Sequence, residues 1–275
     1  MNGVLTASTA PRYLNGATIM STPTPRLLEV ARATGYAGIE ARAERLLVDG
    51  QELAATADSV RDGEVWSLNG VRIGLTKRGD LERTTLDADL DARLEICRAI
   101  GASYLLAVPP RVEGLGLATA THGIREGLSV ARDRAARDGV RVAFEFLGFF
   151  DCPIGSPEAA GVVVDGVGDV DLVLDSCHWH ASGGASLDGL PVERLAMVHL
   201  NDAPGKPPRE IEDADRVLPG EGVIRLGELV ASLGDRGYSG PWSLETFNPA
   251  YWDEEPSAVG RRGWAALETI LGASG

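Results

Sequence analysis

The stretch Val170-Asp171-Leu172-Val173-Leu174-Asp175-Ser176-Cys177-His178-Trp179-His180 decides the fold. Its first five residues read as a buried strand, because a strand covered on both faces is rich in Val and Leu. That strand ends in a carboxylate, with an imidazole three residues on. A buried charge without a partner is costly. Asp175 and His178 therefore either act as a helix cap and a satisfied core histidine, or share a metal ion. Three other stretches repeat the arrangement. Val142-Ala143-Phe144 ends in Glu145, Leu195-Ala196-Met197-Val198 in His199, and Pro241-Trp242-Ser243-Leu244 in Glu245. Four metal-competent endings need one surface where the C-terminal ends of several strands meet. A single (β/α)8 barrel has that surface.

The rest of the chain alternates in the same way. Residues 1–12 are expected to form a flexible N-terminal segment, ahead of one barrel domain over 13–275. A first strand is expected within 13–20. Pro25 opens a helix that Gly35 ends. The second strand, over 38–41, carries Glu40. That residue reads either as a salt-bridge partner of Arg42, Arg45 or another rim arginine, or as a substrate-side group. A helix over 51–62 and a strand within 65–74 follow. Leu86, Leu90, Leu94 and Cys97 repeat at helical spacing over 85–100. The fourth strand covers 104–108. A loop over 111–121 reads as a cover for the pocket, and the next helix, over 124–137, makes His122 a helix-start histidine. Ser156-Pro157-Glu158 starts a further helix. A short helix near 190–194, a long polar segment over 201–222, and helices over 224–233 and 258–271 complete the pattern. No linker or composition shift marks a second domain. No GxGxxG follows a strand, and there is no Walker loop.

Composition sets further bounds. The 275 residues are 44% hydrophobic, and the formal net charge is -14. So acidic a chain lacks the broad Lys and Arg footprint that a nucleic-acid backbone needs; small anions are not excluded. Cys97, Cys152 and Cys177 are odd in number and form no CxxC pair, which fits a reduced, cytoplasmic protein. The N-terminus lacks a basic region followed by an apolar one, and no apolar run approaches membrane-spanning length, so no membrane partner is expected. A homodimer or homotetramer is left open.

Glu145, Asp175, His199 and Glu245 offer three carboxylates and one imidazole. That set suits one divalent ion, Mn2+ first, with Mg2+, Co2+ or Zn2+ as alternatives. Without thiolates it is not a structural zinc site. Cys177 reads as packing, and His180 as an outer partner or a pocket wall. Arg216 presents a rigid donor fork for a substrate hydroxyl or carboxylate; the plainer reading pairs it with Asp213, Asp215 or Glu221. Lys206 is a weaker anchor. Trp179, Phe247 and Trp252 read as apolar walls or as packing, and Tyr251 as a group that reaches a substrate oxygen.

The chain resembles the xylose isomerase-like TIM barrel family of sugar isomerases and epimerases over nearly its whole length. The resemblance rests on Phe144-Glu145-Phe146-Leu147-Gly148, Asp175-x-x-His178, Val198-His199-Leu200-Asn201-Asp202, Arg216-Val217-Leu218-Pro219-Gly220-Glu221-Gly222 and Leu244-Glu245. It implies that Glu145, Asp175, His199 and Glu245 bind one ion and that Glu145 and Glu245 are also an acid–base pair. It also implies that His178 and Arg216 hold substrate oxygens. The implied reaction is proton abstraction next to a carbonyl of a keto-sugar, cyclitol or glycoside, through an enediolate held by the ion. The alternative for the pair is that both glutamates are only ligands and bound hydroxide is the base. The family also includes inosose and 3-dehydroshikimate dehydratases and a DNA-repair endonuclease branch. The endonuclease branch uses additional histidines, which this chain lacks: Asp215-Arg216-Val217 stands where Asp-x-His is needed. A sugar-binding module without turnover is the remaining alternative.

Overall fold

Alternation along the strands sends side chains to two separate cores, one inside a closed ring of strands and one outside it. The computed structural model describes residues 7–184 and 186–272. The strands β1 (Arg12–Asn15), β2 (Gly38–Arg42), β3 (Val65–Arg72), β4 (Tyr104–Val108), β5 (Arg141–Glu145), β6 (Val170–Asp175), β7 (Leu195–Leu200) and β8 (Trp242–Leu244) pair in chain order as a closed barrel. All pairings are parallel, and β8 returns to β1 with Ser243 beside Tyr13. Between successive strands lie α1 (Thr24–Thr34), α2 (Ala43–Leu46), α3 (Gly50–Ser59), α4 (Arg83–Ile100), α5 (Leu117–Ala135), α6 (Pro157–Asp165), α7 (Ser176–Ala181) and α8 (Leu226–Asp235). Two more, α9 (Pro249–Trp252) and α10 (Pro256–Gly272), follow β8.

Leu14, Ile39, Leu68, Leu105, Phe144, Leu172, Val198 and Leu244 pack with the helices in the larger core. The alternate positions Leu106, Ala143, Val173 and Met197 join Trp66 and Tyr104 in a smaller core inside the ring. Two residues beyond Ala143, Val173 and Met197 come Glu145, Asp175 and His199. Apolar runs therefore end in polar ligands because the next inward position is the barrel's upper rim. Phe144 is fully buried, and cutting it to Ala would cost about 3–5 kcal/mol. Gly38 is required by close approach: a Cβ there would stand 2.0 Å from the Glu64 carbonyl oxygen.

Several boundaries differ from expectation. α5 starts at Leu117, so the preceding loop is shorter than expected and His122 lies within the helix. α7 begins directly after Asp175. Its six residues are too few to show an apolar period, so only the helix-cap reading of Asp175 pointed to it; α2 and α9, of four residues each, gave no signal at all. The expected helix at 190–194 is a 3-10 turn, Val192–Arg194. Within the long polar segment, the backbones of Asp202 and Val217 bond to each other in both directions, at 2.9 Å. Residues 1–6 of the expected N-terminal segment lie outside the described residues. Arg12 opens β1, so the barrel starts one residue earlier than expected. Arg12 is buried over the Trp264 ring and paired with Glu268, which ties β1 to α10. Cys97, Cys152 and Cys177 are free. No helix among the described residues is long and apolar enough to cross a membrane.

Candidate active site

Glu145 ends β5, Asp175 ends β6, His199 is the penultimate residue of β7, and Glu245 follows β8 directly. All four are buried, and each offers one ligand atom within 4.8 Å of the others. His199 organises the group. Its Nδ1 lies 3.0 Å from both Glu145 Oε1 and Glu245 Oε2, and its Nε2 lies 3.1 Å from Glu40 Oε1. Glu40 thus has a role that neither sequence reading gave it. Its carboxylate accepts from Asn15 Nδ2 at 3.1 Å and Ser67 Oγ at 2.7 Å, and also from Ser243. A histidine that ligates an ion through one nitrogen commonly donates the other N–H to a carboxylate. Here Glu40 takes Nε2, which leaves Nδ1 toward the other two glutamates.

Asp175 takes the helix-cap role that the opening stretch allows, and its second oxygen faces the cluster. Its Oδ1 accepts from the His178 backbone N–H at 2.8 Å and caps α7. Its Oδ2 turns inward, accepting from Asn201 Nδ2 at 2.6 Å and Arg216 Nη1 at 3.1 Å. Arg216 is only 1% exposed. Nη1 also reaches Glu245 Oε2 at 3.1 Å, while Nη2 meets Asp213 at 2.7 Å and His178 Nε2 at 2.9 Å. Of the acids named for its plainer role, Asp213 pairs with it. Asp215 is taken by the half-exposed Lys206, and Glu221 accepts from Tyr251. Asp202 shapes the segment that carries Arg216, accepting from the backbones of Ala203, Gly220 and Ile224.

The tautomer of His178 follows from its neighbour. A guanidinium only donates, so His178 Nε2 accepts and the ring proton sits on Nδ1. Burial, then the adjacent Arg216 charge, hold its pKa well below the usual value, so the ring is neutral. Nδ1 is buried without a partner, and His178 lines the cavity. Phe149 meets the ring edge-on at 4.9 Å, and Arg111 lies over Phe149 at 4.1 Å. Gly148 lets this loop close on α7, since a Cβ there would stand 2.1 Å from the His178 carbonyl oxygen.

Electrostatics separates the two glutamates. Burial, with the Glu245 and Asp175 charges, raises Glu145 to about 7 against the pull of His199. Burial also acts upward on Glu245, but His199, Arg216 and Arg42 outweigh it and hold that group well below the ordinary range. Burial lowers His199, yet Glu245, Glu40 and Glu145 together raise it well above its usual value. The donor set fits a divalent ion: three carboxylates surround a nitrogen whose proton stands where an ion would bind.

The cavity above this cluster measures about 600 Å3. Glu145, Glu245, His178, Arg216 and Phe247 line it, together with Arg42, Asn69 and Arg111. Phe247 lies under the guanidiniums of Arg42 and Arg216, at 4.9 and 5.3 Å. Trp179 instead joins the larger core, because α7 turns it away from the cavity. Trp252 donates to the Ala17 carbonyl, and Tyr251 lies between Glu221 and the Leu218 N–H. His180 and Cys177 are absent from the cavity lining.

Comparison with known proteins agrees with this geometry. An inosose isomerase of Bacillus velezensis is 30% identical over 235 residues, 82% of this chain and 84% of that protein. An inosose isomerase of Halalkalibacterium halodurans is 32% identical over 164 residues; that match spans 58% of this chain and 58% of that protein's length. Among solved structures, the IolI protein with a bound zinc atom superimposes with a TM-score of 0.85 at 24% identity, covering 96% of this chain and 99% of that one. The family model for the xylose isomerase-like TIM barrel matches residues 28–266, and the chain belongs to that family.

Proposed function

We propose that the protein is a divalent-metal-dependent isomerase or epimerase of a cyclitol or keto-sugar, working by removal and return of a proton next to a carbonyl. The observation that carries this reading is the unpartnered, buried Nδ1–H of His178, on the same cavity wall as Glu145 and Glu245. Glu145, Asp175, His199 and Glu245 would hold the ion, with Mn2+ first and Mg2+, Co2+ or Zn2+ as alternatives. Once bound, the ion supplies fixed positive charge against the negative charge that develops as the proton leaves. His178 donates Nδ1–H to the same developing charge. One glutamate takes the proton and the other returns it; a buried carboxylate can be tuned toward the working pH. Arg216 holds Asp175, Glu245 and His178 in place at the cavity wall. Two inosose isomerase relatives support a cyclitol ketone as substrate.

The test is exchange with solvent. The Mn-loaded protein, given a panel of inososes, ketoses and keto-glycosides in deuterated water, should wash deuterium into one of them. A product lighter by one water would instead assign a dehydratase. Glu145→Gln and Glu245→Gln are then compared, with ion content measured for each. At least one variant should keep the ion and lose exchange. If both hold metal and exchange at the parent rate, the acid–base pair is refuted.

A further inference from the structure

We infer that Asn69 is a substrate-binding residue that holds one ring hydroxyl on the wall opposite the ligand cluster. This rests on the proposed function and deepens it, by naming what the far side of the cavity recognises: a polyhydroxylated ring with a hydroxyl remote from its carbonyl. Asn69 lies on β3, four strands round the ring from His199 on β7, so the two face each other across the barrel mouth. It lines the cavity, yet it is only 1% exposed.

Its side chain is fixed from below. Ser67 Oγ sits 2.7 Å from Glu40 Oε2 and also touches the Asn69 amide. Ser67 has one proton, and the carboxylate takes it. The amide then donates its nitrogen to Ser67 and leaves its oxygen unpaired; turned the other way, it leaves its nitrogen unpaired, as Nδ2 stands here. In either orientation one polar atom of a buried amide has no protein partner. Such a group costs about 1–3 kcal/mol unless something satisfies it, and a hydroxyl can do so as donor or acceptor. The Ser67–Glu40–His199 chain links this contact to the ligand cluster through three hydrogen bonds, so the amide keeps its position when the cavity is empty.

The experiment pairs variants with deoxy substrates. Whichever ring ketone wild type exchanges fastest serves as the parent, and its reduced alcohol serves as a binding probe that needs no turnover. Asn69→Ala and Asn69→Leu should each raise KM and weaken binding of the alcohol about tenfold, with kcat changing less. For the one deoxy analogue that lacks the recognised hydroxyl, wild type and variants should bind alike. A deficit of equal size on every analogue would overturn the inference, as would no deficit at all. Failure of both variants to fold would also overturn it, since Asn69 would then be a structural residue. Wild-type exchange is scored separately, so loss of the reaction assignment is distinguishable from loss of the Asn69 contact.

Discussion

Glu40→Gln is the most informative perturbation of this site. Glu40 is fully buried and satisfies Asn15, Ser67, Ser243 and His199 at once. Gln keeps the shape but turns one acceptor oxygen into a donor, which must then face one of four donors. It also removes the charge against which His199 Nε2–H is held. Replacing such an outer partner typically weakens metal binding about 10- to 100-fold, or about 1.4–2.8 kcal/mol. The mispaired amide adds a fold cost of about 1–3 kcal/mol. Calorimetric titration of the ion-free variant with Mn2+ reads the first term, and its melting against wild type reads the second. Both should move, while Glu145 and Glu245 keep their positions in the sequence and their charges. An Mn2+ affinity within about threefold of wild type would refute the idea that Glu40 orients His199 for an ion. Glu40→Ala is a poorer test, since it leaves Ser243 and His199 Nε2 without their buried acceptor and also opens a cavity.

Two further predictions concern charge. Glu145, raised to about 7, and His199, raised above its usual value, both bind protons more tightly in the folded chain than in the unfolded one. Ion-free stability should therefore fall as pH rises through about 7, where folded Glu145 gives up its proton, and go on falling as His199 does, while ion affinity rises and each ion bound displaces a proton; calorimetry in buffers of different ionisation enthalpy counts those protons. Arg216→Ala should lower kcat/KM about 10- to 100-fold, the value of a charge-assisted hydrogen bond, with the loaded protein retaining its ion. Its ion-free form should be less stable by about 3–5 kcal/mol, read from denaturant unfolding, because Asp175 and Glu245 lose a buried partner. Full metal content with unchanged kinetics would reject a role for Arg216 in turnover.

The barrel was legible because inward and outward positions alternate: Ala143 and Glu145, Val173 and Asp175, Met197 and His199 each obey the period of two. Asp175-x-x-His178 was legible only as two alternatives; one Asp175 oxygen takes the cap, and the other turns to Asn201 and Arg216. Glu40 was misread because its sequence neighbours are arginines, whereas its partners come from β1, β3, β7 and β8 across the ring. Trp179 was left open between wall and packing because α7 leaves no apolar period to say which way the residue turns; it packs in the larger core. Asn69 went unnoticed for a related reason: Gly70 blurs the strand, and an asparagine there carries no pattern until the far wall of the cavity is known.

Arg111 bonds to Asp151 and Glu212 and lies over Phe149. One guanidinium thus fastens the loops after β4, β5 and β7 to each other. A lengthened loop after β7 would give up the Glu212 contact and leave Arg111 on Asp151, where the Val112 N–H also bonds to the Asp151 carbonyl. The loops after β2 and β3 carry no such fastening to this arginine. A descendant of this barrel could lengthen them one at a time, and new substrate preferences would then enter from that side as long as Arg42, at the end of β2, keeps its place beside Glu245.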